Sequence, residues 1–509
     1  MYTESFRFRK LLMKVVLIQL MCCPFVVMAQ TQDDSLSGGR PSQTEIKWPP
    51  IPETPAGKAF AKWIKVINTG DYDAIHSFHA DNPPPYAVGN PKVIDLLTFV
   101  DYNLYLSSGG FDLFSLRQST NNLVLFLCRE RITGFSSLVG LTVPPAPPYF
   151  IDGVIYQPSP TRLPGDTADL NIRKVLKKLS DADLFSGAVL FTERDTTTFK
   201  KAYGLASKSL DVPNRLDTKF NLASMSKMFT GVAVAQLAQQ GKLRFSDTII
   251  THLPDYPNRA VAEKVTIHQL LTHTSGLGDF FNEKYAASWF KLREVQDYFP
   301  LFVDDPLLFE PGQGWNYSSA GYIVLGAIIE KVSGQNYFDY IREHIYKPAG
   351  MLDSDSFEVD QDTPNLAIGY TRLGVNSRAQ LEARKNNLLV NGVKGNPGGG
   401  SYSTLEDMLK FSVALRNHTL LNPEYTNIVL TGKVDLPGPP GQKAGYGFFE
   451  QRFNGKRFVG HDGASNGVST QFLMDPDGGD TIIVLSNYDH PIAAHILNRI
   501  LQATTTSPR

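Results

Sequence analysis

Cysteine is nearly absent: 509 residues hold 3, and two of them, Cys22 and Cys23, lie in an apolar segment near the N-terminus. If that segment is removed, Cys128 alone remains, so no internal disulfide can form and burial has to hold the fold. Cys128 ends the run Leu123-Val-Leu-Phe-Leu-Cys128, which reads as a strand where the thiol packs as a small apolar group. An excess of charge is missing too. With 49 basic and 50 acidic residues, the chain has no basic footprint for nucleic acid, which is excluded as a partner. The apolar run Val15–Met28 is broken by Gln19 and Pro24 and falls short of the roughly 20 residues that cross a membrane.

What that run does fit is a targeting segment. Arg7, Arg9, Lys10 and Lys14 precede it and Val27-Met28-Ala29 closes it, the layout of a cleaved secretory signal over residues 1–29. The sequence therefore predicts an exported protein, periplasmic or at the cell surface, with association to the cell envelope as a further expectation. Lipidation at Cys22 is disfavoured, because Met21 stands where a small residue is required. Residues 30–54, rich in Ser, Gly, Gln and Pro, read as a flexible tether.

Two folded units are predicted beyond it. Phe60, Trp63, Ile64 and Ile67 share one helical face, further helices are predicted over Asp71–Phe78 and Pro91–Leu106, and four β-rich runs follow up to Tyr156. Helices followed by a meander give a small α+β unit over residues 55–157. Its order resembles the small α+β rolls of the nuclear-transport-factor and cystatin-like type. Asp71, Asp73, His76, His79 and Asp81 within it read as a solvated helix face and loop, because no ligand-like spacing follows. A proline-rich connection with a linker at 158–164 leads to a larger unit at 165–506, and a fragment beginning near Pro164 is predicted to keep activity.

The larger unit carries the chemistry. The string S-x-x-K occurs at Ser224-Met-Ser-Lys227 and at Ser288-Trp-Phe-Lys291, so context has to separate them. Met228, Phe229, Val232, Ala233 and Leu237 follow Ser224, the pattern of a buried helix with the serine at its first turn and Lys227 on the same face. Ser288 stands among Lys284, Arg293 and Glu294, an exposed helix. A serine hydroxyl needs a base. A lysine serves only when neutral, which demands burial strong enough to bring it from about 10.4 towards 7, a differential of about 4 kcal/mol. Tyr317 and His461 are candidates for the surrounding groups. His461 is expected where one strand ends and the turn to the next begins.

Five ordered segments carry a resemblance: Phe220-Asn-Leu-Ala-Ser-Met-Ser-Lys-Met-Phe-Thr230, Leu270-Leu-Thr-His-Thr-Ser-Gly-Leu277, Trp315-Asn-Tyr-Ser-Ser319, Gly398-Gly-Gly-Ser-Tyr-Ser-Thr404 and Gly460-His-Asp-Gly463. Over residues 165–506 the chain resembles the serine β-lactamase-like, penicillin-binding family of class C β-lactamases, D-alanyl-D-alanine carboxypeptidases and esterases. The resemblance implies an acyl-enzyme mechanism with Ser224, Lys227 and Tyr317 catalytic. It implies an oxyanion hole from the backbone N–H groups of Ser224 and Ala464, and substrate contacts at Ser319, His461 and Gly463. Two departures stand out. Ser319 replaces the asparagine of Y-x-N, and His461 replaces the lysine of K-T-G by a residue expected to titrate near neutrality. His273 is expected to brace the site.

The expected fold is α+β, an antiparallel sheet flanked by helices with a helical insertion, preceded by the small roll-like unit. The expected function is an exported serine hydrolase cleaving amides or esters, of esterase or D-amino-acid peptidase kind, on a small-molecule or peptide substrate. A β-lactamase and a non-catalytic peptidoglycan-fragment sensor are the alternatives. No cofactor and no metal site are expected: Gly398–Gly400 lack the Gly-Lys-Ser/Thr of a phosphate loop, and His268 and His273 do not share a helix face.

Overall fold

The computed structural model describes residues 48–159, 161, 163, 172–372, 383–437 and 441–504. The expected signal peptide and most of the expected tether lie outside them. Helix α1 (Pro55–Ile67) starts where the Thr54 side chain accepts the Gly57 N–H and Pro55 occupies the first turn. It buries Phe60, Trp63, Ile64 and Ile67. Helices α2 (Tyr72–Asp81) and α3 (Pro91–Ser108) follow. Then β1 (Phe111–Ser119), β2 (Leu123–Glu130), β3 (Ser136–Thr142) and β4 (Gly153–Pro158) form an antiparallel meander in chain order. Phe60, Trp63 and Ile67 pack with Phe111, Phe126, Val139 and Cys128 in one core, so the thiol is a core atom.

The acid and histidine stretch at 71–81 is not one solvated face. Asp71 caps α2 through the Asp73 and Ala74 N–H groups, but His79 is buried. Its Nε2 lies 2.9 Å from Asp101 Oδ2, which also accepts the Trp63 indole N–H at 2.8 Å. His79 stands one turn beyond Ile75 on the inward face, and an aspartate on the next helix satisfies it there.

The larger unit is built on an eight-stranded antiparallel sheet. Helix α4 (Ile172–Asp181), β5 (Gly187–Glu193) and β6 (Thr196–Tyr203) open it. Next come α5 (Lys227–Gln239), α6 (Ser319–Ser333), α7 (Leu405–Arg416) and shorter helices. Strands β7 (Val434–Asp435), β8 (Lys443–Ala444), β9 (Phe449–Phe453), β10 (Lys456–Ser465), β11 (Val468–Met474) and β12 (Thr481–Ser486) and helix α8 (Ile492–Thr504) close it. The order across the sheet is β7-β8-β9-β10-β11-β12-β5-β6, so the two ends of the unit meet where β12 pairs with β5. Side chains alternate with period two. Ala188, Leu190, Phe472, Ile483 and Leu485 join α5, α6 and α7 in the main core, while Val189, Leu473, Ile482 and Val484 pack beneath α4 and α8. The predicted sheet flanked by helices, with a helical insertion between its halves, is the observed architecture.

One strand differs from expectation. β10 does not stop at Gly460 but runs through His461-Asp-Gly-Ala-Ser465, so His461 is inside a strand and not at a turn. The glycine that suggests a turn serves close approach instead. A Cβ on Gly463 would sit 2.1 Å from the Leu222 carbonyl oxygen, which brings β10 against the segment carrying Ser224.

The two units also touch. Glu130, wholly buried, accepts the Thr133 and Ser137 hydroxyls at 2.5 Å and the Tyr156 hydroxyl at 2.9 Å, and His495 Nε2 of α8 lies 3.2 Å from it. Phe135 stacks on the His495 ring at 5.1 Å and joins the core beneath α8. Glu130→Ala would strip three hydroxyls and a histidine of one acceptor, at a cost of about 1–3 kcal/mol per buried group left unpaired. It is expected to lower the urea midpoint of the full chain, and a fragment beginning at Pro164 is expected to melt below it because the face of α8 is uncovered. Equal midpoints in all three proteins would show that this contact contributes no stability.

Candidate active site

Ser224 stands on a single 3-10 turn, Ala223–Ser226, that runs straight into α5. Ala223 takes a left-handed φ of 45°, a strained setting for a side-chain-bearing residue. It is held there: Asn221 Oδ1 accepts its N–H at 2.8 Å, and its carbonyl accepts the Gly400 N–H and the Ser226 hydroxyl, both at 3.0 Å. Every residue of α5 from Lys227 to Ala238 is buried, because apolar side chains cover its whole circumference. Lys227 is carried inside with them.

That burial decides the lysine's chemistry. Lys227 Nζ lies 3.3 Å from Ser224 Oγ, 3.3 Å from Ser319 Oγ and 2.5 Å from the Gly398 carbonyl, over the Tyr317 ring at 4.7 Å. Desolvation brings its pKa down to about 7, against the opposing pull of Asp279 and Asp462. Desolvation prevails here because the ammonium has no carboxylate within ion-pair distance among the described residues, only neutral oxygens and rings.

Tyr317 precedes α6, whose N-cap Ser318 donates its hydroxyl to the Gly278 carbonyl and accepts the Gly321 N–H. The Tyr317 phenol faces Ser224, and burial, the largest influence, raises its pKa well above the usual value, so it keeps its proton. His273 braces it as expected. In a left-handed conformation at φ 62°, its Nδ1 accepts the Ser318 N–H at 3.1 Å and its ring stacks on Tyr317 at 4.5 Å. Burial holds His273 well below its ordinary value.

His461 is also neutral, and the expectation of titration near neutrality is overturned. Burial, with Lys227 nearby, lowers it to about 3. Its Nδ1 lies 2.6 Å from the Asp462 carbonyl and its Nε2 is buried with no partner among the described residues. Ser319 is buried between Lys227 and Asp279. The hydroxyl that replaces the family asparagine thus sits beside Lys227.

The Ala464 N–H is set by strand register. The two-residue turn Asn466-Gly467 pairs Ser465 with Val468, so alternation turns the Ala464 N–H away from β11. On that other side β9 pairs with β10 only as far as Gly460, which leaves the edge from His461 onward facing the Ser224 segment. Ser288, in contrast, is half-buried and donates its hydroxyl to the Lys284 carbonyl. The geometry brings together Ser224, Lys227, Tyr317, Ser319, His461, Gly463 and Ala464.

Sequence reasoning missed two groups that act on Lys227. Gly398 was legible only as part of a glycine run. Asp279, two residues past the Leu-Thr-His-Thr-Ser-Gly-Leu segment, accepts the Ser319 N–H at 3.0 Å and the Phe280 N–H at 2.7 Å. Burial raises its carboxyl in spite of those bonds. Its adjacency to the motif was the available signal.

Residues 172–506 match the family profile described as Beta-lactamase. The chain belongs to that family. Penicillin-binding protein 4* of Bacillus subtilis (strain 168) is 30% identical over 330 residues, which cover 62% of this chain and 71% of that protein. The solved penicillin binding protein from Bacillus halodurans is 33% identical, with a TM-score of 0.58 over 64% of this chain and 98% of its own. D-amino acid amidase from Ochrobactrum anthropi SV3, at 23% identity, shares the fold with a TM-score of 0.57 over 67% of this chain and 100% of that one. Membership of the Beta-lactamase family supports a serine hydrolase of that fold.

Proposed function

We propose that the chain is an exported serine hydrolase that opens amides or esters through an acyl-enzyme, with Ser224 as nucleophile. Lys227 takes its proton and Tyr317 relays it to the leaving group. The observation that carries this reading is Lys227, buried 3.3 Å from Ser224 Oγ with a pKa brought down to about 7. Backbone N–H groups of Ser224 and Ala464 receive the developing oxyanion.

Substrate preference follows from charge. Where β-lactamases place a fixed cation for the substrate carboxylate, this site offers neutral His461, while Asp279 adds a carboxyl beside Ser319. Both favour amino-acid amides and uncharged esters over carboxylate-bearing β-lactams, and a related fold serves a D-amino acid amidase. A panel of p-nitrophenyl acetate, D-phenylalanine amide, D-alanyl-D-alanine peptides and nitrocefin tests it. Turnover of the first two with kcat/KM at least about 100-fold above nitrocefin is the expected result. Nitrocefin as the best substrate would favour the β-lactamase reading. Slow labelling by fluorescent penicillin with no turnover of any of the four would favour a peptidoglycan-fragment sensor.

A further inference from the structure

One loop touches both the β10–β11 turn and the segment that carries Ser224 and Lys227. Residues 387–400 begin at the β10–β11 turn and end beside the nucleophile. At the near end, the Asn391 amide Nδ2 donates to the Asn466 carbonyl at 3.0 Å and its Oδ1 accepts the Ser465 hydroxyl at 2.8 Å. At the far end, the Gly398 carbonyl accepts Lys227 at 2.5 Å and the Gly400 N–H donates to the Ala223 carbonyl at 3.0 Å. Between them, Asn396 stiffens the loop. Its backbone exchanges two hydrogen bonds with Gly399, of 2.7 and 2.9 Å, and its side chain accepts the Gly398 N–H at 2.8 Å.

We propose that Asn391 is a positioning residue for the oxyanion hole. It fixes the tip of the β10–β11 hairpin, and with it the Ala464 N–H, in register with Ser224 and Lys227. Ser465 is the residue after Ala464, so a two-pronged bond at Ser465 and Asn466 anchors the chain immediately past the Ala464 N–H. An oxyanion donor acts only when it points at the place where charge develops, and small displacements cost large factors in rate. Two other contacts hold the same tip: Asp489 Oδ1 accepts the Gly467 N–H at 2.7 Å and Asn387 Nδ2 donates to the Asn466 carbonyl at 2.9 Å. Asp489 lies just past β12, and Asn387 opens the same loop with its N–H on the Gly369 carbonyl, so the turn keeps two anchors without Asn391. Asn391 is the one of the three that also accepts the Ser465 hydroxyl, next to Ala464, so its loss should leave the hairpin folded but misaligned.

The proposal rests on the serine hydrolase reading, and its test separates the two. Asn391→Ala and the milder Ser465→Ala are compared with the unaltered full chain in three measurements: steady-state turnover of p-nitrophenyl acetate, inhibition by phenylboronic acid, which forms a tetrahedral adduct on a serine, and thermal midpoint. Asn391→Ala is expected to lower kcat about 10- to 100-fold with KM within about twofold, and to weaken phenylboronic acid by the same factor as kcat/KM. Ser465→Ala should do the same to a smaller extent, and both should melt within a few degrees of the unaltered chain. A raised KM with kcat intact would make Asn391 a substrate contact, and a fall in kcat without parallel loss of boronate affinity would make it merely structural. Either overturns the proposal, as does unchanged kcat. An unaltered chain that neither turns over p-nitrophenyl acetate nor accepts a fluorophosphonate would instead remove the hydrolase reading and this inference with it.

Discussion

Ser224→Ala is expected to abolish fluorophosphonate labelling and to lower turnover of p-nitrophenyl acetate by at least about 10,000-fold, while Ser288→Ala changes neither. Both serines carry the S-x-x-K string, and only their surroundings differ. Ser224 Oγ has Lys227 Nζ as a hydrogen-bond partner at 3.3 Å and the Tyr317 phenol facing it, the two groups proposed to take the proton and pass it on. Ser288 spends its hydroxyl on the Lys284 carbonyl at 2.6 Å on an exposed helix, where Lys291 is exposed as well. The Ser224 variant should fold normally, because Lys227 keeps its bonds to the Gly398 carbonyl and Ser319. Intact-protein mass after labelling, with a thermal melt as control, reads both outcomes. Labelling that survives in the Ser224 variant would dismiss this serine as nucleophile.

What the sequence disclosed about this site was whatever local periodicity could carry. The apolar helix after Ser224 fixed both the burial of Lys227 and the one-turn spacing to the serine, and the helical insertion expected between two sets of strands anticipated the sheet. His461 was misplaced because a glycine-flanked stretch looks like a turn, whereas Gly463 is there to let β10 approach Leu222. Its titration was misjudged for a related reason: a side chain sealed within the fold cannot be recognised from its neighbours in the chain. His79 escaped in the same way, since its partner Asp101 lies on another helix. Asn391 carried no local signal, because the residues it holds are 74 and 75 positions away.

The pH profile of acylation should follow Lys227 and not a histidine. The lysine acts as base only when neutral, and its pKa is about 7. Single-turnover acylation is therefore expected to rise about tenfold per pH unit below 7 and to level off above it. Lys227→Ala and Tyr317→Phe should each slow acylation about 100- to 10,000-fold, the first by removing the base and the second by breaking the relay from a phenol that keeps its proton. His461, lowered to about 3, is neutral across this range, so His461→Ala should leave the midpoint near 7 whatever it does to KM. Asp279 supplies a second, signed test. Its carboxylate favours the ammonium form and raises Lys227 against desolvation, so Asp279→Asn removes that support and should move the rising limb to lower pH. The neutral base then persists further into acid. A limb that moves to higher pH would contradict this electrostatic account of Lys227, and one that disappears in His461→Ala with Lys227 intact would transfer the general-base role to the histidine.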